Sequence, residues 1–324
     1  MRMNPKSSDI KLLNYLYHNG TEPATKVAKS TKLSREQVEY KIKKYFSEGI
    51  VKQFFTLFNY PLLGYTSSVS LLLKIKSSKT KEFSEKLKED KNCLSKGEII
   101  GDFDFFMDMV FKDEKEMNNY ISNLFQENKD CLVDCLVLKS FFIEYYPLRF
   151  LSKQTGKKNV YSVDQQEIFK ERYSIDEKDK IILKMMSQDA RVKIVDIAEK
   201  IKLTPEAVLY RLRKLERDRI ILGSRMFFDA NKLGYYLADV LLEIKPFSSS
   251  IQEKIKKFAR GNNKINHVFF LFNQPNCLMQ IIFRSQKELQ DAIKEIKNIF
   301  QDEFIKIKIL FPKPEDKINT LPFY

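Results

Sequence analysis

The fold is decided by residues 203–216, which read Leu-Thr-Pro-Glu-Ala-Val-Leu-Tyr-Arg-Leu-Arg-Lys-Leu-Glu. Thr204 is a typical helix N-cap, and Pro205 takes the first helical position, where a missing N–H costs nothing. Apolar residues then recur at the spacing of one helical face, at Val208, Leu212 and Leu215. The segment therefore predicts a short amphipathic helix with a basic opposite face.

A similar pattern occurs earlier in the chain, at residues 33–46. Without a gap, Asp9–Tyr65 aligns with Asp179–Tyr235, and 14 of the 57 pairs are identical. Further on, Met107–Met117 resembles Met279–Leu289 more weakly. An internal repeat of this length predicts two similar halves, each large enough for a pair of small domains.

Each half begins with three short helical patterns. In the first half, Ile10, Leu13 and Leu16 mark the first helix, and Ala24–Thr31 forms the second. The third helix starts at Ser34, with Gln37 three residues on as in a capping box, and ends at Gly49. Three such helices predict a helix-turn-helix. The β-prone segments that follow, Val51–Phe58 and Ile221–Phe228, fit a wing.

The rest of each half alternates in the order β-α-β-β-α-β, which is the ferredoxin-like arrangement. In the first half we expect strands near Val69–Leu73, Ile99-Ile100, Phe105–Phe111 and Leu132–Phe142, and helices near Thr80–Lys88 and Glu114–Phe125. In the second half we expect strands near Ala238–Ile244, His267–Phe272, Leu278–Phe283 and Phe304–Phe311, and helices near Ser250–Ala259 and Gln286–Phe300.

The expected fold class is therefore α+β, with two winged helix-turn-helix domains alternating with two ferredoxin-like (βαββαβ) regulatory domains. The expected bounds are 1–62 and 63–147 for the first pair of domains and 174–232 and 233–312 for the second. Residues 148–173 are polar and basic and are interpreted as a linker, and residues 313–324 as an irregular tail.

Composition limits the classes of function. The net charge is +14, which favours polyanionic partners such as nucleic acid. No apolar run approaches the ~18 residues of a membrane span, and Met1–Lys11 has no apolar core of a signal peptide, so we expect a cytoplasmic protein. With four scattered cysteines and two histidines, we expect no metal site, and no motif calls for a cofactor or a catalytic residue.

The outward face of the third helix in each half is the candidate DNA-binding surface. Arginine and lysine reach phosphates and guanine edges in the major groove, and tyrosine can contact either. The candidate contacts to double-stranded DNA are Gln37, Tyr40, Lys41, Lys43, Lys44, Tyr210, Arg211, Arg213, Lys214 and Arg217. The alternative is an ordinary solvated basic face without a partner.

The chain resembles the Lrp/AsnC (leucine-responsive, feast/famine) regulator family, present here as a tandem copy. The resemblance rests on Asp179-x-x-Ile-Leu, residues 203–216, Leu233-Gly-Tyr235 and Gly101-Asp-Phe-Asp104. It implies regulatory domains that pair face to face and bind small effectors, often amino acids. By that resemblance Gly101, Asp102 and Asp104 would bind the effector, and the alternative is a tight turn with acidic residues.

Three departures from the family pattern leave other functions open. The second half has Asn273-Gln-Pro-Asn276 in place of the acidic loop. In the first half, the third helix has Tyr45-Phe46 where Leu-Glu is usual. The duplication is itself unusual. Siroheme decarboxylases have a similar layout and would use a histidine, for which His267 is the candidate, but Leu271 stands where an arginine is expected. A sensor or interaction protein with idle helix-turn-helix units is the third interpretation.

The last expectation concerns assembly. The strand Leu132–Phe142 is apolar on both faces, so the sheet face not covered by helices needs a partner. A tethered copy supplies that partner at an effective concentration near millimolar. We therefore expect the two regulatory domains to pair within one chain as a pseudo-dimer, and outer surfaces leave room for a homodimer.

Overall fold

The computed structural model describes residues 6–147, 160–165, 175–300, 303–314 and 317–322. In these ranges the α-helices are α1 (Ser7–His18), α2 (Ala24–Thr31), α3 (Arg35–Ser47), α4 (Thr80–Glu89), α5 (Glu114–Glu127), α6 (Glu177–Gln188), α7 (Ile194–Ile201), α8 (Pro205–Arg217), α9 (Ser249–Gly261) and α10 (Gln286–Ile299). None of these described helices combines the length and apolarity that crossing a membrane requires.

The strands follow the expected order with small changes in length. They are β1 (Val51–Phe58), β2 (Ser67–Ile75), β3 (Ser95–Ile100), β4 (Phe105–Phe111), β5 (Leu132–Tyr145), β6 (Tyr161–Asp164), β7 (Ile221–Phe228), β8 (Tyr236–Lys245), β9 (Ile265–Leu271), β10 (Cys277–Phe283) and β11 (Phe304–Pro314). The predicted mixture of helix-turn-helix and βαββαβ segments is confirmed by this order of elements.

The chain forms two compact units, and each unit takes segments from both halves of the sequence. The first comprises Met1–Leu63, Ile168–Leu233 and Asp316–Tyr324, and the second comprises Gly64–Glu167 and Gly234–Glu315. We call them the helical unit and the sheet unit.

In the helical unit, α1–α3 and α6–α8 form the two three-helix groups. The second group packs around Ile182, Leu183, Ile197, Val208 and Leu215, all fully buried. The segments interpreted as wings do not form a hairpin within either half. Instead β1 pairs with β7 in an antiparallel two-stranded sheet, so each strand has its partner in the other half of the chain. The two β-prone segments interpreted as wings are thus strands with the expected bounds.

In the sheet unit, eight strands close into a ring in the order β2-β4-β3-β11-β8-β10-β9-β5, with β5 returning to β2. The two halves join at two places, where β11 pairs with β3 and β5 pairs with β9. The ring thus contains the two four-stranded sheets of the βαββαβ segments, joined edge to edge within one chain.

Three apolar cores stabilise the sheet unit. One lies under α4 and α5 around Leu71, Phe105 and Met107, and another lies under α9 and α10 around Val240, Phe270 and Ile296. The third lies on the side of the sheets away from the helices and draws on both halves, with Leu72, Phe106, Leu138, Leu241, Leu278 and Leu310 among its buried members. Burial of this shared core covers an apolar sheet face that would otherwise be exposed to solvent and prone to association.

Two segments interpreted as irregular are ordered in part. The expected linker contains β6, which pairs with β5 through Tyr145 and Tyr161 at one end of the register. The expected tail begins inside β11, and its later residues pack in the helical unit, where Leu321 is buried. The irregular structure expected from composition is therefore only partly right. Lysine and proline lower strand propensity, but they do not exclude an edge strand or an extended segment that packs on the protein.

Candidate nucleic-acid interface

The third helices α3 and α8 are the candidate recognition helices, and their ends are fixed as the sequence predicts. The Ser34 hydroxyl accepts a hydrogen bond from the Gln37 amide at 3.1 Å, and Gln37 Oε1 accepts one from the Ser34 amide at 2.9 Å. In α8 the Thr204 hydroxyl accepts from the Ala207 amide at 3.2 Å, with Pro205 at the first turn. The predicted caps are confirmed.

Both helices turn basic and aromatic side chains outward. Tyr40 of α3 and Tyr210 of α8 are each 67% exposed. The cations on the same faces, Lys43 and Lys44 in α3 and Arg213 and Arg217 in α8, are exposed as well. The buried stripe on the other side, including Val38 and Val208, holds each helix against its own group. An exposed face of this composition can contact phosphates and base edges.

Two of the predicted contacts have another role. Lys41 Nζ lies 2.5 Å from Asp9 Oδ1, and Arg211 Nη1 lies 2.8 Å from Asp179 Oδ1 and 2.7 Å from Asp176 Oδ2. Both cations therefore tie a recognition helix to the first helix of its group. Their position at the flank of the helix, near a carboxylate that the sequence repeats at 9 and 179, explains these contacts.

The local electrostatics agree with a fixed bridge. Burial raises the pKa of Asp9, but hydrogen bonds from Lys41, Tyr45 and the Lys6 amide outweigh it and leave the pKa below its usual value. Hydrogen bonds to Asp179 and Asp176 raise the pKa of Arg211. In α3 the buried Tyr45 hydroxyl donates to Asp9 at 2.7 Å, so tyrosine at this departure from the family pattern completes the bridge.

Two further predicted contacts, Gln37 and Lys214, differ in detail from freely outward side chains. The Gln37 side-chain oxygen is used in the cap of α3, which leaves only its amide hydrogens for another partner. Lys214 is half-buried rather than fully outward.

The sequence reasoning overlooked one matched pair of cations. Lys32 and Lys202 lie in the turn just before each recognition helix, with φ of 58° and 53°, and both are exposed. A non-glycine residue in the left-handed region is uncommon. The signal that could have found them was present, since this lysine is one of the identical positions of the repeat.

The acidic loop of the first regulatory segment has a structural role. Asp104 Oδ2 accepts a hydrogen bond from the Ile75 amide at 2.8 Å, and Asp104 Oδ1 lies 3.0 Å from Lys74 Nζ. At the same place in the second half, Asn276 Oδ1 accepts from the Ile244 amide at 3.1 Å. The two side chains hold equivalent strands, so the asparagine preserves the function of the aspartate in the fold.

The other predicted effector residues are also committed to contacts. Asp102 Oδ2 lies 2.7 Å from Lys308 Nζ on β11, and that hydrogen bond lowers the pKa of Asp102. Gly101 has a φ of +152°, and a Cβ there would lie 2.7 Å from Leu310 Cδ2. The positive φ favours glycine at this turn, and a side chain there would also require Leu310 to shift. In this structure the two carboxylates of the loop contact lysine ammonium groups and a backbone amide.

No three His, Cys, Asp or Glu side chains come together as a metal site in the part of the chain that the structure describes. His267, the candidate histidine of the decarboxylase alternative, stacks on Phe269 at a centroid distance of 4.8 Å and meets the Tyr145 ring at 5.9 Å. Leu271 is buried in the core shared by both halves, where that enzyme interpretation expects an arginine.

Comparison with known proteins agrees with the helix-turn-helix. A family described as winged helix-turn-helix DNA-binding matches residues 175–221. Among curated proteins, the chain is 33% identical to the HTH-type transcriptional regulator LrpA of Pyrococcus horikoshii over 122 residues, covering 37% of this chain and 83% of that protein. The LrpA of Pyrococcus abyssi is 36% identical over the same shares.

Among solved structures, the siroheme decarboxylase NirDL has a similar fold along nearly the whole chain. The TM-score is 0.63 with 14% sequence identity, and the match covers 97% of this chain and 94% of that one. At this identity the likeness concerns the arrangement of the elements alone.

Proposed function

The chain belongs to the Lrp/AsnC family of transcription regulators, and we propose that it binds specific sequences in duplex DNA through the outward faces of α3 and α8. In this proposal the protein works in the cytoplasm as a DNA-binding regulator and catalyses no reaction.

One observation carries it. In both halves a tyrosine with the same 67% exposure is followed by two cations on the same outward face, and the buried stripe of each helix fixes that face outward. A helix presented in this way fits the major groove, where lysine and arginine contact phosphates and guanine edges. The candidate contacts are Tyr40, Lys43 and Lys44 in α3 and Tyr210, Arg213 and Arg217 in α8, with Lys214 beside them.

The test is a salt titration of binding to genomic fragments from upstream of the chain's own gene. Each lost phosphate contact lowers the magnitude of the slope of log K against log salt by about 0.9. Changing Arg213, Lys214 and Arg217 to alanine therefore weakens binding, and it reduces the slope by about 0.9 for each of these cations that contacts a phosphate and not a base edge. Changing Lys43 and Lys44 to alanine has a smaller effect because two cations are removed rather than three.

The matched control removes three exposed lysines from α10 of the sheet unit, in the variant Lys287→Ala, Lys294→Ala, Lys297→Ala. It lowers the net charge by the same amount as the α8 variant and leaves the slope unchanged. If the control and the α8 variant weaken binding equally, general charge and not the recognition helix accounts for the affinity.

We also propose an amino-acid effector at the loop 101–104, with Asp102 as its ammonium partner. The support is that Asp102 is exposed. The ammonium group of a bound amino acid could take the place of Lys308 beside its carboxylate. Asp104 would act through the strand backbone it holds. Calorimetry with a panel of amino acids tests this: Asp102→Ala should weaken binding, and absence of heat with every amino acid contradicts it.

The decarboxylase alternative has a simple readout as well. The fold likeness to NirDL and the presence of His267 favour it, and the buried Leu271 disfavours it. A tetrapyrrole absorbance band in the purified protein, lost in His267→Ala, would support that alternative over the regulator.

A further inference from the structure

The two recognition helices differ at some of the positions that the internal repeat makes equivalent. Tyr40 corresponds to Tyr210, and Lys44 corresponds to Lys214, so these positions are shared. Two other outward positions are not: Lys43 and Ser47 of α3 stand opposite Arg213 and Arg217 of α8 in the alignment. All four of these side chains are exposed, so their differences concern the surface and not the packing.

Arginine and lysine do not read DNA in the same way. The planar guanidinium donates two parallel hydrogen bonds to O6 and N7 of one guanine, whereas the ammonium of lysine is a flexible point charge. Arg213 is exposed. Arg217 forms an ion pair through its Nε, which donates to Asp218 Oδ1 at 3.1 Å, and its side chain remains 68% exposed. Thus α8 offers two guanidinium groups for base edges where α3 offers an ammonium group and a hydroxyl.

The pairing of β1 with β7 relates the two helical groups by an approximate two-fold axis. Phe55 pairs with Arg225 in that register, and the alignment of the two halves makes these same two positions equivalent. The axis therefore passes through this pair. A dimer of two identical halves would place the same residue on both sides of the axis, and here phenylalanine faces arginine.

The surroundings of this pair also differ between the halves. Arg225 is 3% exposed, and its Nη1 donates to the Tyr17 hydroxyl at 3.0 Å. The position equivalent to Tyr17 is Ser187, whose hydroxyl donates to the Lys184 carbonyl. Pairing two second halves would bring two buried guanidinium groups together without a phenol for either, which is unfavourable. The residues at the axis therefore favour pairing of a first half with a second half, as Phe55 and Arg225 do here.

From these observations we infer that the chain recognises a non-palindromic DNA site with two unlike half-sites. The half-site under α8 contains guanines read by Arg213 and Arg217, and the half-site under α3 is held by Tyr40 and the lysines with weaker base preference. This inference rests on the proposed function and specifies the partner of the same surface.

The experiment is selection of binding sites from a randomised duplex library with the full-length chain, followed by affinity measurements on the selected site. We expect a motif with a strongly conserved guanine in one half and none at the mirror position. Arg213→Lys should lower the preference for that guanine about 5- to 100-fold in one half only. The reciprocal variant Lys43→Arg should add a guanine to the other half and make the motif more palindromic.

The outcomes separate the inference from the function beneath it. A palindromic motif from the parent chain overturns the inference while leaving DNA binding intact, and so does an Arg213→Lys change that alters both halves equally. Absence of any binding to duplex DNA by the parent chain overturns the proposed function and the inference together. The α10 lysine variant, selected in parallel, should return the parent motif.

Discussion

Arg225 lies over the ring of Tyr17, with its guanidinium carbon 5.1 Å from the ring centroid and Nη1 3.0 Å from the hydroxyl oxygen. The two residues are 208 positions apart and belong to different halves of the chain. Both are buried, so the phenol compensates part of the cost of removing a guanidinium group from water.

Removing the Tyr17 hydroxyl should therefore destabilise the helical unit. We expect Tyr17→Phe to lower the free energy of unfolding by about 1–3 kcal/mol, because a buried charged donor loses its acceptor. The measurement is denaturant unfolding. Tyr210→Phe is the control, and as a surface change it should stay within about 0.5 kcal/mol. Equal effects of the two variants would contradict the assigned role of Tyr17.

His18 should make the helical unit sensitive to acid. Burial, with the charge of Arg225 adding to it, lowers the pKa of His18 from 6.5 to about 3. The imidazole stays neutral in the folded chain and is protonated in the unfolded chain below pH 6.5, so its contribution to stability is lost as the pH falls. Between pH 7 and pH 5 we expect a loss of about 2 kcal/mol.

The matched variant is His18→Gln, since glutamine occupies the equivalent position 188. It should flatten the pH dependence of thermal unfolding in that window. A variant that keeps the full slope would show that another group titrates there.

Asp108 and Asp239 should give the sheet unit the opposite dependence. Burial raises the pKa of Asp108 from 3.8 to about 6, and burial together with the charge of Asp108 raises that of Asp239 to about 7. Both carboxyls bind a proton more tightly in the folded chain than in the unfolded chain. Their contribution to the free energy of unfolding is therefore fully present below pH 3.8 and is lost as the pH rises through about 6 to 7.

Replacing Asp239 with asparagine should remove this penalty, because the amide oxygen can still accept the 2.8 Å hydrogen bond from Gln280. We expect Asp239→Asn to raise the free energy of unfolding at pH 8 by about 1–3 kcal/mol, with no gain at pH 4. Asp102→Asn is the control, since its pKa is lowered by Lys308 and it should give no gain. A gain at both pH values would point to packing instead.

Leu321 should anchor the end of the chain in the helical unit. It is 3% exposed and packs in the core of the second helical group, while Gln53 exchanges hydrogen bonds of 2.9 and 3.0 Å with the backbone of Ile318. Leu321→Ala should cost about 2–5 kcal/mol in the free energy of unfolding. Val133→Ala, at a 60% exposed apolar position, is the control and should change little. Equal losses would argue against the anchor.

Local features of the fold could be predicted closely from the sequence. The bounds of α2 and β4 agree with the expectation at both ends, because the residues that start each element are local: Pro23 precedes α2, and the turn at Gly101-Asp102 precedes β4. The partner of β1 could not be found in this way, since nothing near Val51 indicates that its neighbour lies in the other half of the sequence. Register between distant strands depends on tertiary packing.

The candidate site was predictable to a similar extent. Helical periodicity placed Tyr40 and Tyr210 outward correctly and put Arg211 at the flank, but it could not show that Arg211 pairs with the carboxylates of Asp176 and Asp179. That pairing depends on where the first helix of the group lies. In the same way, the sequence shows that Asp104 has a carboxylate that could bind a ligand. Only the structure shows that this carboxylate accepts a hydrogen bond from the Ile75 amide and so holds the strand.

The exchange of strands between halves has a consequence for how the molecule is made. Residues up to 147 supply only one strand of the β1–β7 pair and only half of the closed ring. During synthesis the first half therefore emerges from the ribosome before its strand partners, and β11, the last strand among the described residues, must emerge before the ring can close. Such closure is slow and late because its contacts are distant in sequence. Two polypeptides cut at the boundary should behave as complementing fragments that acquire their structure only on meeting.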